Sequence, residues 1–484
     1  MTQRHFRSVV RAASVGLAAC LASGSLAARA PVDWSRFRGP NGSGVSAAVD
    51  VPTEFGPGKN LLWKVALPPG HSSPILFGDR LYLTAFRGTE LVTFAIDRTA
   101  RKVLWERRAP SVTPTIVDKR NNPASPSPAV NAAGVYVFFP DYGLIAYDAA
   151  GAERWTMPLG PFTNIYGMGA SPVVVGDLVV LNCDQSVGSF LLAVDAKTGR
   201  ERWRTARPEA KSGHATPIVW RAPDGRDQIL VAGSFLVTAY EPATGRRLWW
   251  VRGLSFEIKS TPVIGGDTLY INGYGSTENE PGQKVVVPPA DDVWKTADQD
   301  GNGVLGKAEF PKYTAAFWFD ACDLDHNGAL SKDEWEYYRA ALDSENGMLA
   351  IRLGGSGDMT ATAVRWKYQR AVPQLPSPLL YQHVLYMVNE GGIVTTLNPD
   401  TGAVIRQGRL TGALGSYFSS PVAADGHIFF TSQLGAIAVL PPSGDLTPLV
   451  VNDLKEDCYA TPAFADGRLY VRTVEALYAF GSPS

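Results

Sequence analysis

A Ser-Pro or Thr-Pro dipeptide recurs along this chain, each time at the head of a short apolar run. The eight hydroxyl residues are Ser73, Ser127, Ser171, Thr216, Thr261, Ser377, Ser420 and Thr461. Successive steps measure 54, 44, 45, 45, 116, 43 and 41 residues. Removal of the 72 residues from 276 to 347 shortens the long step to 44. The chain is therefore predicted to contain eight copies of one unit, with a segment inserted into the fifth.

Each unit indicates four short strands. An apolar strand follows the Ser/Thr-Pro pair, and a Gly-Asp or similar turn leads to a second strand. A third strand ends near Ala-x-Asp, and Thr-Gly precedes a fourth strand that carries a tryptophan; Ser171 to Trp203 shows the complete pattern. A period near 44 residues with Gly and Asp turns is typical of propeller blades. We predict an all-β fold, an eight-bladed β-propeller of four-stranded blades.

The two ends of the repeat predict how the ring closes. The last unit ends at 477–480 without a tryptophan-bearing fourth strand, whereas residues 61–65, Leu-Leu-Trp-Lys-Val, form an isolated fourth strand before the first unit. Joined, they complete blade eight and leave no open sheet edge. The predicted organisation is a signal peptide at 1–30, propeller at 31–275, an insertion at 276–347 and propeller again at 348–484.

The insertion contains two twelve-residue stretches, 298–309 and 323–334, with the ligand spacing of an EF-hand calcium loop. Positions 1, 3, 5 and 12 supply side-chain oxygens and position 7 supplies a carbonyl, because Ca²⁺ takes six to eight oxygen ligands. A glycine at position 6, Gly303 or Gly328, permits the sharp turn. The predicted ligands are Asp298, Asp300, Asn302, Val304 and Glu309 in the first loop, and Asp323, Asp325, Asn327, Ala329, Ser331 and Glu334 in the second.

The two loops are predicted to form a small α-helical EF-hand pair in blade five. Leu305 and Leu330, both at position 8, should pair the loops. The linking stretch 310–322 is too short for two full helices, so we expect one connecting helix. Gly306 at position 9 offers no side-chain oxygen, which makes the first site the weaker one. Two complete matches argue against acidic surface loops that match by chance, and His326, at a non-ligand position, is expected to be exposed.

The first thirty residues resemble an export signal, with Arg4, Arg7 and Arg11 before an apolar run from 12 to 26. Cleavage after Ala27 or after Ala30 is compatible with the pattern. Leu17-Ala-Ala-Cys20 also resembles a lipobox, which would leave Cys20 as a lipid anchor. We expect an exported protein, periplasmic or extracellular, either soluble or an envelope lipoprotein.

Composition excludes several classes of partner and site. A formal charge of -1 argues against nucleic acid. No later run of 18 apolar residues predicts a transmembrane helix. Cys183, Cys322 and Cys458 are an odd, widely spaced set, which does not indicate a disulfide framework.

A family resemblance rests on three stretches. The pattern Ala-x-Asp-x-x-Thr-Gly-x-x-x-Trp from Ala193 to Trp203, nearly repeated at 95–105 and 239–249, resembles the tryptophan-docking repeat of PQQ-like propellers. Residues 33–44 and 355–360, the latter followed by Trp366, are similar to those of secreted bacterial PQQ-like repeat proteins. The resemblance covers 31–275 and 348–482 and implies an eight-bladed propeller of the BamB-like or quinoprotein-dehydrogenase-like kind.

The resemblance to quinoprotein dehydrogenases implies PQQ in the central funnel as one alternative. Those enzymes have adjacent cysteines at the cofactor, and this chain has none. Packing between blades accounts for the recurring tryptophans. We identify no catalytic residue and expect no PQQ.

A ligand in the funnel is a separate possibility. The residues two before each Ser/Thr-Pro pair should meet where strands enter the funnel: His71, Ser125, Gly169, His214, Lys259, Leu375, Phe418 and Tyr459. His71, His214, Lys259, Phe418 and Tyr459 are candidate contacts for a sugar, peptide or quinone-like ligand. The alternative is ordinary loop capping around solvent.

Two functional hypotheses follow. The first is a non-catalytic binding or assembly scaffold, with an unknown protein or small molecule at the propeller face and two structural Ca²⁺ ions. The second is a PQQ-dependent oxidoreductase. The insertion replaces the turn between the second and third strands of blade five, so it should project from the face where the loops enter the funnel.

Overall fold

The Ser/Thr-Pro units build eight antiparallel sheets, seven of which have four strands. The fourth sheet gains a short fifth strand, Gly357–Asp358, which pairs parallel to its outer strand. The computed structural model describes Met1 and residues 34–110, 118–164, 166–314 and 318–482. The predicted signal peptide and Cys20 lie outside these residues. The prediction of an eight-bladed β-propeller with four-stranded blades is confirmed.

The first half of the ring begins with a single strand and continues with four complete blades. The first strand is β1 (Leu61–Ala66). Blade one contains β2 (Ile75–Phe77), β3 (Arg80–Arg87), β4 (Glu90–Asp97) and β5 (Lys102–Arg108). Blade two contains β6 (Ala129–Asn131), β7 (Gly134–Phe139), β8 (Gly143–Tyr147) and β9 (Glu153–Pro158). Blade three contains β10 (Val173–Val175), β11 (Leu178–Cys183), β12 (Phe190–Asp195) and β13 (Glu201–Ala206). Blade four contains β14 (Ile218–Arg221), β15 (Asp227–Gly233), β16 (Leu236–Tyr240) and β17 (Arg247–Arg252).

The second half carries the insertion and the closing blade. Blade five begins with β18 (Val263–Gly265) and β19 (Thr268–Gly273). The insertion holds α1 (Ala290–Ala297), β20 (Leu305–Gly306), α2 (Phe319–Cys322), β21 (Ala329–Leu330) and α3 (Lys332–Asp343). The chain returns through β22 (Gly347–Arg352), β23 (Gly357–Asp358), α4 (Thr360–Ala363) and β24 (Val364–Tyr368). Blade six contains β25 (Leu379–Tyr381), β26 (Val384–Val388), β27 (Ile393–Leu397) and β28 (Val404–Arg409). Blade seven contains β29 (Val422–Ala424), β30 (His427–Thr431), β31 (Ala436–Leu440) and β32 (Val450–Asp453), and blade eight contains β33 (Ala463–Ala465), β34 (Arg468–Arg472) and β35 (Ala476–Phe480). Short 3-10 helices lie at Pro40–Gly42 and Thr277–Asn279.

Burial along a blade follows strand position. The middle strands β7 and β8 are buried at every residue, as expected for strands covered on both faces by neighbouring blades. The outer strand β9 is largely exposed apart from Trp155. This gradient explains why the middle strands are continuous apolar runs, whereas the fourth strands combine charged residues with one tryptophan.

Blade eight is completed by the start of the chain. Strand β1 pairs antiparallel with β35, and Trp63 lies opposite Ala479. The closing strand therefore comes from residues that precede blade one, and the ring is closed by backbone hydrogen bonds between the two ends of the propeller.

The Ser/Thr-Pro hydroxyls form a second, inner ring of hydrogen bonds. Each hydroxyl accepts from the backbone N–H of the hydroxyl residue in a neighbouring blade, at 2.9–3.2 Å, for seven of the eight steps around the ring. All eight residues are buried. The repeated hydroxyl therefore satisfies a buried donor of the preceding blade, which explains why only Ser or Thr stands there.

The tryptophans dock one blade onto the next. Trp155 donates its indole N–H to the carbonyl of Ala196 at 3.0 Å, and Trp203 donates to Pro242 at 2.8 Å. The glycine of the Thr-Gly turn in the next blade packs closely against the indole ring. A Cβ on Gly199 would lie 2.6 Å from the Trp155 ring. Thr-Gly and Trp are thus two halves of one contact between blades.

The segment before β1 crosses one end of the propeller and contacts several blades. Leu76 of blade one donates to Trp34 at 2.9 Å, and Asn41 exchanges two hydrogen bonds with Val219 of blade four. Ala423 of blade seven donates to Gly44 at 2.8 Å. This segment therefore ties non-adjacent blades together across the centre of the ring.

Two findings concern the whole described chain. Among the described residues, no helix has the length and apolar character needed to cross a membrane. Cys183, Cys322 and Cys458 are free and buried.

Candidate functional site

The first predicted EF-hand loop gathers three carboxylates around one point. Carboxylate oxygens of Asp298, Asp300 and Glu309 lie within 4.8 Å of one another. The Gly303 N–H donates to Asp298 Oδ2 at 3.1 Å, and the Gln299 N–H donates to Glu309 Oε1 at 2.9 Å. Asp298 Oδ1 is buried without a hydrogen-bond partner among the described residues. A buried carboxylate oxygen without a hydrogen-bond donor suits the role of a metal ligand, since buried polar atoms otherwise have partners.

The second loop repeats the arrangement. Carboxylate oxygens of Asp323, Asp325 and Glu334 lie within 4.8 Å of one another. The Gly328 N–H donates to Asp323 Oδ2 at 2.9 Å, and the Leu324 N–H donates to Glu334 Oε1 at 2.8 Å. Asp323 is 5% exposed and Glu334 is 8% exposed. The second carboxylate cluster is therefore more deeply buried than the first, whose three carboxylates are half-buried or exposed.

The remaining predicted ligands lie in the same two loops. Asn302 and Asn327 each donate the side-chain amide to the preceding aspartate at 2.9 Å. Val304 and Ala329 stand at the position whose carbonyl is predicted to bind. Ser331 donates its hydroxyl to Glu334 Oε2 at 2.8 Å, and it caps α3. His326 is exposed, as predicted.

Each loop brings three negatively charged carboxylates close together. N–H donors of Gly306 and Gln299 hold the pKa of Glu309 below its usual range, so this carboxyl is ionised at neutral pH. Three carboxylates this close repel one another unless a cation lies between them. The loops therefore have the charge, the oxygen donors and the turn glycines, Gly303 at φ 87° and Gly328 at φ 85°, that a Ca²⁺ site requires.

The two loops form one small unit. Leu305 pairs with Leu330 in a two-stranded sheet, the pairing predicted from position 8. Trp335 is fully buried and contacts Trp294, Phe310 and Tyr338 edge-on or tilted. The described part of the linking stretch contains one helix, α2. It is only four residues long, and residues 310–314 are not helical.

The insertion is rooted between the middle strands of blade five. Gly273 at the end of β19 lies opposite Gly347 at the start of β22. Asn346, fully buried, donates to the Ser276 carbonyl at 2.8 Å, and Asn279 donates to the Ala341 carbonyl at 2.8 Å. These two asparagines fix the residues that enter and leave the insertion, and neither carries a recognisable sequence signal.

The predicted funnel positions come together. All eight residues that lie two before a Ser/Thr-Pro pair line one central cavity of about 180 Å³. Phe37, from the segment that crosses the ring, also lines this cavity. The sequence interpretation therefore located the funnel wall, although whether a ligand binds there stays a prediction.

The funnel wall has an aromatic side and a charged side. Tyr459 is stacked between His71 and Phe418, with ring centroids 4.1 and 5.3 Å away. Across the ring, the Lys259 ammonium pairs with Glu257 and lies 4.8 Å from the centre of the Tyr166 ring. Such a wall offers apolar contact on one side and hydrogen bonds on the other.

The two funnel histidines are held neutral. Burial, with the charge of Arg472 as a second cause, lowers the pKa of His71 to about 3. Burial and the charge of Lys259 lower the pKa of His214 to about 3. His214 Nε2 is buried without a hydrogen-bond partner in the described part of the chain. Neither histidine therefore serves as a cation at neutral pH.

Several cavity residues were missed from the sequence. Asp118 and Arg120, a pair joined at 2.7 Å, and Tyr166 line the cavity from the long connections between blades. These connections lie outside the repeating pattern, so the spacing that located the other wall residues carries no signal for them.

The comparisons with known proteins agree with this architecture. The family described as outer membrane protein assembly factor BamB matches residues 48–272, 191–302 and 340–480. The chain belongs to this family. The match leaves out 303–339, which hold the whole second predicted calcium loop and most of the first.

Solved structures show the same fold at low identity. BamB from Moraxella catarrhalis is similar over 87% of this chain and 99% of its own, with 15% identity and a TM-score of 0.55. The computationally designed protein Ika8 is similar over 88% of this chain and 100% of its own, with 10% identity and a TM-score of 0.52. No curated protein matches the chain. At these identities the likeness concerns the BamB-family fold alone.

Proposed function

We propose that this BamB-family protein is an exported, calcium-binding propeller scaffold without catalytic activity. Its two EF-hand loops hold Ca²⁺ as a structural ion. The observation that carries the proposal is the convergence of three carboxylates within 4.8 Å in each of two loops, with matching backbone hydrogen bonds.

The structural role follows from where the ligands stand. In each loop the first and last ligands, Asp323 and Glu334 for example, belong to opposite ends of a twelve-residue turn. A bound cation joins these ends and removes the repulsion between the carboxylates. Since extracellular calcium modules bind at roughly 10⁻⁴ to 10⁻³ M, the sites of an exported protein stay filled. We therefore propose a stabilising ion rather than a signalling switch.

The scaffold role draws on the closed ring and on the face that surrounds the funnel. Leu414 is 61% exposed and Leu434 is 60% exposed, and both lie close to the loop that holds Tyr459. Trp318 of the insertion is 51% exposed. Exposed large apolar side chains near one opening favour a protein or small-molecule partner there. The partner is not nucleic acid, since the net charge is -1. A periplasmic or extracellular location, with Cys20 as a lipid anchor in the lipoprotein alternative, belongs to the same proposal.

Calorimetric titration of the intact protein with Ca²⁺ tests the metal claim. We expect two sites, and we expect Glu309→Gln/Glu334→Gln to abolish binding because each loop loses its bidentate ligand. Asp333→Asn is the matched control, since it removes a carboxylate from the second loop at a non-ligand position. Unchanged Ca²⁺ binding in the double variant would refute the ligand assignment.

A separate titration with PQQ plus Ca²⁺ tests the non-catalytic claim. We expect neither stoichiometric cofactor absorbance nor dye-linked oxidation of alcohols or sugars. Stoichiometric PQQ with turnover would replace the scaffold by an oxidoreductase.

A further inference from the structure

A second cavity lies between the calcium unit (residues 276–347) and the propeller. Its volume is about 280 Å³. The calcium unit contributes Leu324, Tyr337 and Tyr338, and the propeller loops contribute Lys211 and Phe256. Tyr166 lines both this junction cavity and the funnel, so the two cavities adjoin. The junction cavity is slightly smaller than the roughly 300–1,000 Å³ of typical small-molecule sites, so it suits a small ligand.

One wall of the junction cavity is built on the second calcium loop. Leu324 lies between the ligands Asp323 and Asp325, and its N–H donates to Glu334 Oε1 at 2.8 Å. Tyr337 follows Glu334 by one turn of α3 and contacts Phe235 of the propeller, with ring centroids 5.6 Å apart. The backbone that holds the cation therefore also positions this wall.

The chemistry of the junction cavity is aromatic with one unpaired cation. Phe256, Tyr337 and Tyr338 supply ring surface. The carboxylate of Glu257 forms an ion pair with the Lys259 ammonium. Lys211, in contrast, has no carboxylate within 4.0 Å among the described residues. An ammonium beside aromatic walls favours a planar ligand with one negative charge.

We propose that the junction cavity binds a small aromatic anion, and that this ligand and Ca²⁺ increase each other's affinity. The binding site stands on the cavity itself, whereas the coupling rests on the proposed calcium sites. Coupling is reciprocal because both ligands stabilise the same arrangement of Leu324, Glu334 and Tyr337.

Fluorescence titration with 8-anilinonaphthalene-1-sulfonate tests the site on the intact protein. We expect one saturable site, and Lys211→Met should weaken it about tenfold through the lost charge-assisted contact. Lys197→Met, at an exposed turn of blade three, is the matched control and should leave binding unchanged. The uncharged analogue N-phenyl-1-naphthylamine should bind the wild type and the Lys211 variant alike. Equal sulfonate affinity in wild type and Lys211→Met would overturn the site.

The same titration with saturating Ca²⁺ and with a chelator tests the coupling. We expect at least fivefold tighter sulfonate binding with Ca²⁺, and Glu334→Gln should remove that difference. Calorimetry that shows Ca²⁺ binding, together with equal sulfonate affinity in both conditions, would overturn the coupling and leave the proposed function intact. Absence of Ca²⁺ binding in calorimetry would instead remove the proposed function, while the Lys211 comparison would still decide the site.

Discussion

The backbone N–H of Thr461 donates to the hydroxyl oxygen of Ser73 at 3.0 Å, across 388 residues of sequence. This bond joins blade eight to blade one. Both residues are about 97% buried, so neither group has water as a replacement partner. The propeller is therefore closed twice, by the pairing of β1 with β35 and by the inner hydroxyl ring.

Loss of the Ser73 hydroxyl should weaken this closure. Ser73→Ala leaves the Thr461 N–H buried without its acceptor, which costs about 1 to 3 kcal/mol. We expect the free energy of unfolding in urea to fall by that amount. Ser73→Thr is the matched control, because Thr occupies three equivalent positions in the ring. Equal stability of the Ala and Thr variants would contradict the role of the hydroxyl.

Comparison of alanine substitutions at Gly199 and Gly176 should separate the energetic cost of disturbing the contact between blades from the cost of backbone strain. Gly199 has φ 71°, and a Cβ there would lie 2.6 Å from the Trp155 ring. Gly176 has φ 60° with nothing within 4 Å of a Cβ. We expect Gly176→Ala to cost about 1 kcal/mol from backbone strain, and Gly199→Ala to cost about 1 to 3 kcal/mol more from overpacking. Thermal unfolding of the two variants measures the difference, and equal melting temperatures would refute the docking contact.

The first proposed calcium site should bind Ca²⁺ more tightly when its ninth loop position carries a side-chain oxygen, as that position does in the second loop. Gly306 and Ser331 hold the same place, and each donates its N–H to the closing glutamate at 2.9 Å. A Cβ on Gly306 would meet only Glu309 Oε2, at an ordinary 3.5 Å. We therefore expect Gly306→Ser to tighten the weaker site several-fold in calorimetry, with the other site unchanged. Ser331→Gly is less informative, because Ser331 also caps α3.

Mild acid should destabilise the propeller through its funnel histidines. Burial lowers the folded-state pKa of both His71 and His214 to about 3, below the value of about 6.5 expected in the unfolded chain. Between these values the unfolded state binds more protons, so stability is full above pH 6.5 and falls as the pH drops towards 3.

We expect a loss of about 1 kcal/mol per histidine for each pH unit below 6.5, measured by urea unfolding from pH 7 to pH 5. Saturating Ca²⁺ keeps metal release out of the measurement. His71→Gln/His214→Gln should flatten the slope over this window, and an unaltered slope would contradict the assignment.

Local chemistry explains which parts of the fold the sequence could predict. Thr-Gly beneath a tryptophan, a Ser/Thr-Pro strand start and a twelve-residue ligand spacing each depend on a few neighbouring residues. The eight units and the closing strand at 61–65 were predictable for that reason, and the ligand spacing located two loops whose carboxylates converge.

Contacts between distant loops could not be read in the same way. Arg207 and Asp184 form a buried pair at 2.6 Å, and their positions follow no repeat. Lys211, Phe256 and Tyr337 line one cavity only because residues 276–347 pack against the connections between blades. Those connections vary in length and sequence from blade to blade.

The sequence by itself determined the number of blades, their order, the closing strand and the positions of the two carboxylate-rich loops, because period and ligand spacing are properties of short segments. Only the tertiary structure decided that Phe37 lines the funnel, that Tyr459 stacks between His71 and Phe418, and that Leu324 and Lys211 share a cavity. The physical reason is that these residues are brought together by the stacking of blades and by the path of long loops, which no local pattern encodes.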